Sequence, residues 1–127
     1  MEKAAVLIVE DEALIRISAV HMVEDAGYTV FEACNSDEAI RIMESRSDIG
    51  AVFTNINMPG SMDGLTLAHT LRRRWAHIHV IVTSGPNVPN KLPANGRFIH
   101  KPYSAHQVTA ALSELFCGSM AHSPQEV

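Results

Sequence analysis

The sequence predicts an open, doubly wound α/β domain built on a parallel sheet, and three observations carry that prediction. Short apolar runs alternate with amphipathic stretches almost throughout, which is the pattern of successive βαβ units. The first run, Ala4-Ala5-Val6-Leu7-Ile8-Val9, is apolar at every position rather than at every second one, as a central strand covered on both faces requires. Polar residues able to do chemistry also fall where strands end: Glu10 and Asp11 after the first, Asn55 after the third, Thr83 after the fourth and Lys101 after the fifth.

The elements follow in order. Residues 4–9 give the first strand. From Glu12 to Ala26, the apolar residues Leu14, Ile15, Ala19, Met22 and Val23 recur near helical spacing, and Gly27 stops the helix. Residues 28–33 alternate as a second strand. Asn35 or Ser36 caps a second helix through Ile40 and Met43, with Glu38 as capping-box partner of Asn35. Ala51-Val52-Phe53-Thr54 is the third strand, and a loop with Pro59, Gly60 and Gly64 follows it. Residues 65–75 carry the stripe Leu65, Leu67, Ala68 and Leu71, with Trp75 anchoring the helix end against the core. The fourth strand runs from His79 to Val82 and a short fifth from Arg97 to Ile99. A last helix, from Ala105 to Phe116, turns Val108, Ala111, Leu112 and Leu115 inward. One domain over residues 1–117 is expected, with 118–127 as a small, polar, flexible tail. Right-handed crossovers place helices on both faces of such a sheet.

Bulk properties exclude several classes. A length of 127 residues, 46% hydrophobic and 19% charged, suits one ordered domain. The net charge of −4 gives no reason to expect a nucleic-acid backbone as partner. Arg72, Arg73 and Arg74 form the basic cluster and read as a solvated helix end set against the helix dipole. No apolar run approaches the roughly 20 residues of a membrane span. Cys34 and Cys117 lie far apart and read as reduced thiols, in keeping with a cytoplasmic location. The histidines 21, 69, 77, 79, 100, 106 and 122 make no zinc-binding spacing, so no structural metal site is expected from them.

In an open sheet of this kind, ligands bind beyond the carboxyl ends of the strands at the topological switch point. Two acids, an amide, a hydroxyl and a lysine would meet there. Any one alone is more often a surface polar residue or a helix cap, but all of them at strand ends make a candidate site.

The segments Leu7-Ile8-Val9-Glu10-Asp11-Glu12, Thr54-Asn55-Ile56-Asn57-Met58-Pro59-Gly60, Val82-Thr83-Ser84 and Phe98-Ile99-His100-Lys101-Pro102-Tyr103, in this order and spacing, resemble the response-regulator receiver domains of two-component signalling. The resemblance covers nearly the whole chain. It implies the flavodoxin-like (CheY-like) strand order 2-1-3-4-5, a signalling role rather than an enzymatic one, and a phosphorelay in which a sensor histidine kinase or phosphotransfer protein donates a phosphoryl group to an aspartate ending the third strand. By the same resemblance, Glu10 and Asp11 match the acidic pair that holds Mg²⁺, a hard cation that takes oxygen ligands and keeps several waters. The Asn57 backbone carbonyl matches a further ligand. Lys101 matches the lysine that pairs with the acceptor carboxylate and then with a phosphoryl oxygen. Thr83 and Phe98 match the hydroxyl and the aromatic that move together as the switch, and Lys101–Pro102 matches a cis peptide that aims the lysine inward. Implied partners are the phosphodonor and a downstream protein target, with pairing to a second copy of the chain left open.

Two departures stand out. Asn55 occupies the phospho-acceptor position, and an amide is a poor nucleophile because its nitrogen lone pair is delocalised. Asn55 could still offer a carbonyl oxygen to Mg²⁺, but without charge, so weakened binding is expected. The chain is either an engineered Asp→Asn form or a natural pseudo-receiver. Asp63 is a poor substitute acceptor because it lies well past the strand end. The second departure is between Thr83 and Phe98, where the family places a full fourth helix. Pro86, Pro89 and Pro93 leave room for about one turn, so a shortened or missing fourth helix is expected, with Val88 and Leu92 folded inward. The competing function is a flavodoxin-like small-molecule or nucleotide-binding protein, but Glu10-Asp11-Glu12 stands where a phosphate loop would be needed. A Mg²⁺-dependent phosphohydrolase would also want a nucleophilic aspartate at position 55.

Overall fold

The computed structural model describes residues 5–57, 62–85, 92–93 and 96–121, with side chains up to residue 116. Its elements are β1 (Ala5–Val9), α1 (Ala13–Asp25), β2 (Thr29–Ala33), α2 (Ser36–Ser45), β3 (Ile49–Asn55), α3 (Gly64–Arg74), β4 (His79–Ser84), β5 (Arg97–His100) and α4 (Ala105–Ala121). All strand pairs are parallel, in the order β2-β1-β3-β4-β5, which is the expected doubly wound sheet.

The unbroken apolar run of β1 has the expected consequence. Ala5, Leu7 and Val9 point into a core shared with Ala39 and Met43 of α2 and Leu67, Ala68 and Leu71 of α3. Val6 and Ile8 point the other way, into a core shared with Ala19 and Val23 of α1 and Val108, Leu112 and Leu115 of α4. The sheet therefore lies between two helical layers, and the period-2 geometry of a strand serves both cores at once. At the start of β1 the pairing with β3 slips by one residue, from Ala5↔Ile49 to Val6↔Ala51, so that Gly50 is passed over. Bulges of this kind re-aim the rest of a strand.

Helix ends follow local rules. α1 stops at Ala26, and Gly27 takes φ 101°. The Gly27 N–H donates to the Glu24 carbonyl and the Tyr28 N–H to the Val23 carbonyl, which together make a Schellman motif. Asn35 caps α2 by accepting from the Glu38 N–H at 2.8 Å. Glu38 reaches back, as predicted, but to the Cys34 N–H at 2.8 Å, one residue before the cap. That donor holds its carboxyl below the ordinary glutamate range. Arg72, Arg73 and Arg74 do lie in the last turn of α3. The guanidinium of Arg74 covers the ring of the partly buried Trp75 at 4.4 Å.

Three expectations need correction. Leu14 does not face the core: it is 83% exposed, and Ile17 is 47% exposed, so α1 carries apolar residues on two faces. β3, β4 and β5 extend to Asn55, Ser84 and His100, because polar residues at strand ends still pair in the ladder. α4 continues past Phe116 to Ala121, since one glycine within a helix costs only about 1 kcal/mol. Among the described residues no helix intervenes between β4 and β5. Leu92 packs against the α2–α3 core as expected, whereas residues 86–91 and 94–95, and Val88 with them, lie outside the described residues. Nor is any described helix long and apolar enough to cross a membrane.

Candidate functional site at the carboxyl edge of the sheet

The sheet order brings the ends of β1, β3, β4 and β5 side by side, and with them the predicted residues. Asn55 lies opposite Thr83 in the β3–β4 ladder. Beyond the strands, the Ile56 N–H donates to the Thr83 carbonyl at 2.9 Å and the Lys101 N–H to the Ser84 carbonyl at 3.0 Å. The ladder thus continues one step past the formal strand ends and fixes the site's floor. The Lys101–Pro102 peptide is cis, as expected.

Glu10 is 2% exposed. Burial pushes its carboxyl pKa up, against the opposing pull of the Glu12 N–H and of Lys101. Its Oε2 accepts from the Glu12 N–H at 3.1 Å, and its Oε1 faces Lys101 Nζ at 3.1 Å. The lysine's salt bridge is therefore to Glu10, whereas the resemblance implied residue 55. The reason is charge: the amide of Asn55 offers Lys101 no counter-ion, and the nearest buried carboxylate takes it.

Asn55 is 5% exposed. Its Nδ2 donates toward three oxygens: the Asn57 carbonyl at 2.9 Å, Glu10 Oε2 at 3.3 Å and Asp11 Oδ1 at 3.3 Å. Those are the acidic pair and the carbonyl predicted to hold a cation, and all three converge on one point. Two carboxylates and a carbonyl are the oxygen donors Mg²⁺ favours, so Glu10, Asp11 and Asn57 fit the ion. Among the described residues no group of three His, Cys, Asp or Glu side chains surrounds a point, because position 55 contributes an amide. Thr83 is buried at 2% exposure, and its Oγ1 has no hydrogen-bond partner. A buried hydroxyl left so costs on the order of 1–3 kcal/mol. Phe98, the predicted switch aromatic, is partly buried against the α2–α3 core with its ring edge-on to His100 at 4.8 Å.

Sequence reasoning missed two residues that shape the site. Arg16 of α1 donates from Nη1 to the Glu10 carbonyl at 2.8 Å and from Nε to Glu32 Oε1 at 3.0 Å, tying α1 to the ends of β1 and β2. Gly64, the first residue of α3, lies against the backbone of Asn55: a Cβ there would run into the Asn55 carbonyl oxygen and meet its carbon at 2.6 Å. The Gly64 N–H donates to the Ile56 carbonyl at 2.8 Å. Asp63, too far past the strand end to serve as acceptor, caps α3 by accepting from the Thr66 N–H at 2.8 Å.

Beside the site, Tyr103 stacks on Phe53 with ring centroids 5.3 Å apart, and burial, aided by the charge of Glu10, pushes its phenol up to about 12. The neutral phenol is thus favoured in the folded chain. Its contribution should be complete below pH 10, the ordinary value, and should be lost as pH rises toward about 12. Tyr103→Phe is expected to flatten the fall in stability over that window. Denaturant titrations at stepped pH check this, and an equal fall in both proteins would refute it.

A family model for the response regulator receiver domain matches residues 6–113. The chain belongs to that family. It is 36% identical over 118 residues to the sensor kinase CckA of Brucella abortus (strain 2308), a match covering 88% of this chain and 12% of that protein. Over 124 residues it is 32% identical to the aerobic respiration control protein ArcA of Escherichia coli (strain K12), covering 94% of this chain and 51% of ArcA. The chain thus spans an eighth to a half of these relatives' lengths. A receiver domain protein (CheY-like) from Methanospirillum hungatei JF-1 superimposes with a TM-score of 0.85 at 21% identity, over 94% of this chain and 98% of that one, which shows the shared fold.

Proposed function

We propose that this chain is a receiver module of a two-component phosphorelay that signals through protein contacts without accepting a phosphoryl group at residue 55. The observation that carries this reading is Asn55 itself: it sits at the end of β3 among Glu10, Asp11, Thr83 and Lys101, with no nucleophilic oxygen to offer. Phosphoryl transfer in such a pocket depends on positioning and charge neutralisation, with the attacking group supplied by the acceptor side chain. Glu10, Asp11 and the Asn57 carbonyl would hold Mg²⁺, which neutralises phosphoryl charge where an acceptor carboxylate is present. Lys101 and Thr83 would supply the ammonium and the hydroxyl for a phosphoryl oxygen only in a chain with aspartate at position 55.

The partners in this reading are a sensor histidine kinase or phosphotransfer protein and a downstream protein target, met in the cytoplasm. The exposed Leu14 and Ile17 on α1 support a protein contact on that face, since Leu14 also borders a groove of about 550 Å³ with Ile15, Met22, Pro102 and Tyr103. Nothing in the edge chemistry calls for a nucleic acid.

Incubation with acetyl phosphate and Mg²⁺, followed by intact mass, is the test. No phosphoryl adduct is expected on the Asn55 chain, whereas Asn55→Asp should acquire one. A stoichiometric adduct on the Asn55 chain would overturn the proposal.

A further inference from the structure

The predicted ligand set places Asn55 among the groups that offer oxygen to a cation. The geometry points elsewhere: we infer that the Asn55 carboxamide is a built-in stand-in for the cation, organising the acidic edge without metal, and that Mg²⁺ enters only by displacing it. The inference rests on the receiver reading only for the identity of the ion.

Three oxygens surround Asn55 Nδ2, at 2.9, 3.3 and 3.3 Å, and each is one that a bound divalent ion would need. The orientation of the amide follows from this set. Turned over, it would aim its carbonyl oxygen at two carboxylates and a carbonyl, with no hydrogen between them. An amide NH₂ has two hydrogens for these three acceptors, so at least one is shared. Glu10 takes three donors in this arrangement, of the roughly four its carboxylate can accept. Its Oε1 takes Lys101 Nζ, while its Oε2 takes both Asn55 Nδ2 and the Glu12 N–H. Mg²⁺ holds oxygens at about 2.1 Å, so the same three oxygens would have to close in around an ion. The amide nitrogen now stands between them. Asn55 is almost wholly buried, and its side chain must rotate away before an ion can take that place.

An aspartate at position 55 would behave oppositely. It would set a third carboxylate beside Glu10 and Asp11 with no hydrogen to give, so Lys101 alone would face three negative charges and the edge would favour a further cation. Residue 55 thereby selects between a metal-dependent edge and a metal-independent one.

Removing the Asn55 side chain distinguishes the two roles. If Asn55 is a metal ligand, Asn55→Ala loses an oxygen donor and must bind Mg²⁺ more weakly than the Asn55 chain. If it is a stand-in, Asn55→Ala opens the place and must bind as tightly or more tightly. Calorimetric titration of the Asn55 chain, Asn55→Ala and Asn55→Asp with Mg²⁺ is the experiment, together with thermal unfolding of each in EDTA. We expect Asn55→Ala to equal or exceed the Asn55 chain in affinity, and Asn55→Asp to exceed it by about tenfold or more. In EDTA both variants should melt lower than the Asn55 chain, Asn55→Ala by roughly 5 °C or more for the lost charge-assisted bonds. A severalfold weaker Mg²⁺ affinity in Asn55→Ala, or an unchanged melting temperature in EDTA, would overturn the inference. Amide NMR gives a second readout on the Asn55 chain alone: the Asn55 NH₂ pair should exchange slowly without metal and shift when Mg²⁺ saturates. A pair that exchanges as fast as exposed carboxamides would also refute it. Acetyl phosphate labelling of Asn55→Asp separates the two readings. Labelling with weakened Asn55→Ala binding leaves the receiver proposal standing and removes this one, whereas no labelling with strengthened Asn55→Ala binding does the reverse.

Discussion

Gly64→Ala is expected to destabilise the domain by about 3 kcal/mol or more, or to prevent it from folding. The added methyl would collide with the Asn55 carbonyl oxygen, and would lie 2.6 Å from the carbonyl carbon and 3.0 Å from Ile56 Cα. All three are backbone atoms, so no side-chain rotamer change can make room. Either the first turn of α3 must lift off the sheet, breaking the Gly64 N–H bond to the Ile56 carbonyl, or the end of β3 must move. Moving β3 displaces Asn55 from the three oxygens it now serves. Overpacking in a core that can adjust costs less, typically 1–3 kcal/mol. Urea unfolding measures the effect, and a loss below about 1 kcal/mol would show that α3 can shift freely.

Lys101→Met should cost about 3 kcal/mol, the second-largest effect anticipated. Glu10 is buried, and its carboxylate would lose the one cation placed beside it among the described residues, at 3.1 Å. The Glu12 N–H and Asn55 Nδ2 remain as donors to Oε2, which keeps the loss at the low end for a broken buried pair. The interpretation is checked by a double-mutant cycle. Glu10→Gln combined with Lys101→Met removes both charges and should recover most of the loss. If the double variant is as unstable as the sum of the singles, packing of the lysine stem rather than its charge is what matters.

The two kinds of information in the sequence had different reach. Strands buried on both faces announce themselves by unbroken apolar runs, and residues at their ends can be placed once the strands are known. That is why the sequence alone assigns Glu10, Asp11, Asn55, Thr83 and Lys101 to one edge. Helical periodicity has no such power on α1, where Leu14 and Ile17 are apolar yet exposed. An apolar residue left exposed looks the same in the sequence as one facing the core. The pairing within the site was also hidden. Lys101 turns to Glu10 because residue 55 is neutral, a three-body outcome that no spacing encodes. Gly64 and Arg16 belong to the same class: one is needed for a close approach of two backbones, the other bridges two strands whose adjacency is set by the crossover. Local capping was easier to read, although Glu38 chose the amide of Cys34 over that of Asn35.

The hydrogen bond from the Ile56 N–H to the Thr83 carbonyl bears on how the molecule ages. Asparagine deamidates when the backbone nitrogen of the next residue attacks the side-chain carbonyl carbon, closing a succinimide that water opens to aspartate or isoaspartate. Here that nitrogen is held at 2.9 Å by the neighbouring strand, and the residue that carries it is a β-branched isoleucine. The side-chain amide is itself engaged with three oxygens on its far side. Ring closure would require the strand end to open first. Slow chemical conversion of Asn55 into aspartate is therefore blocked by the same backbone ladder that positions it, and stored protein should keep its asparagine.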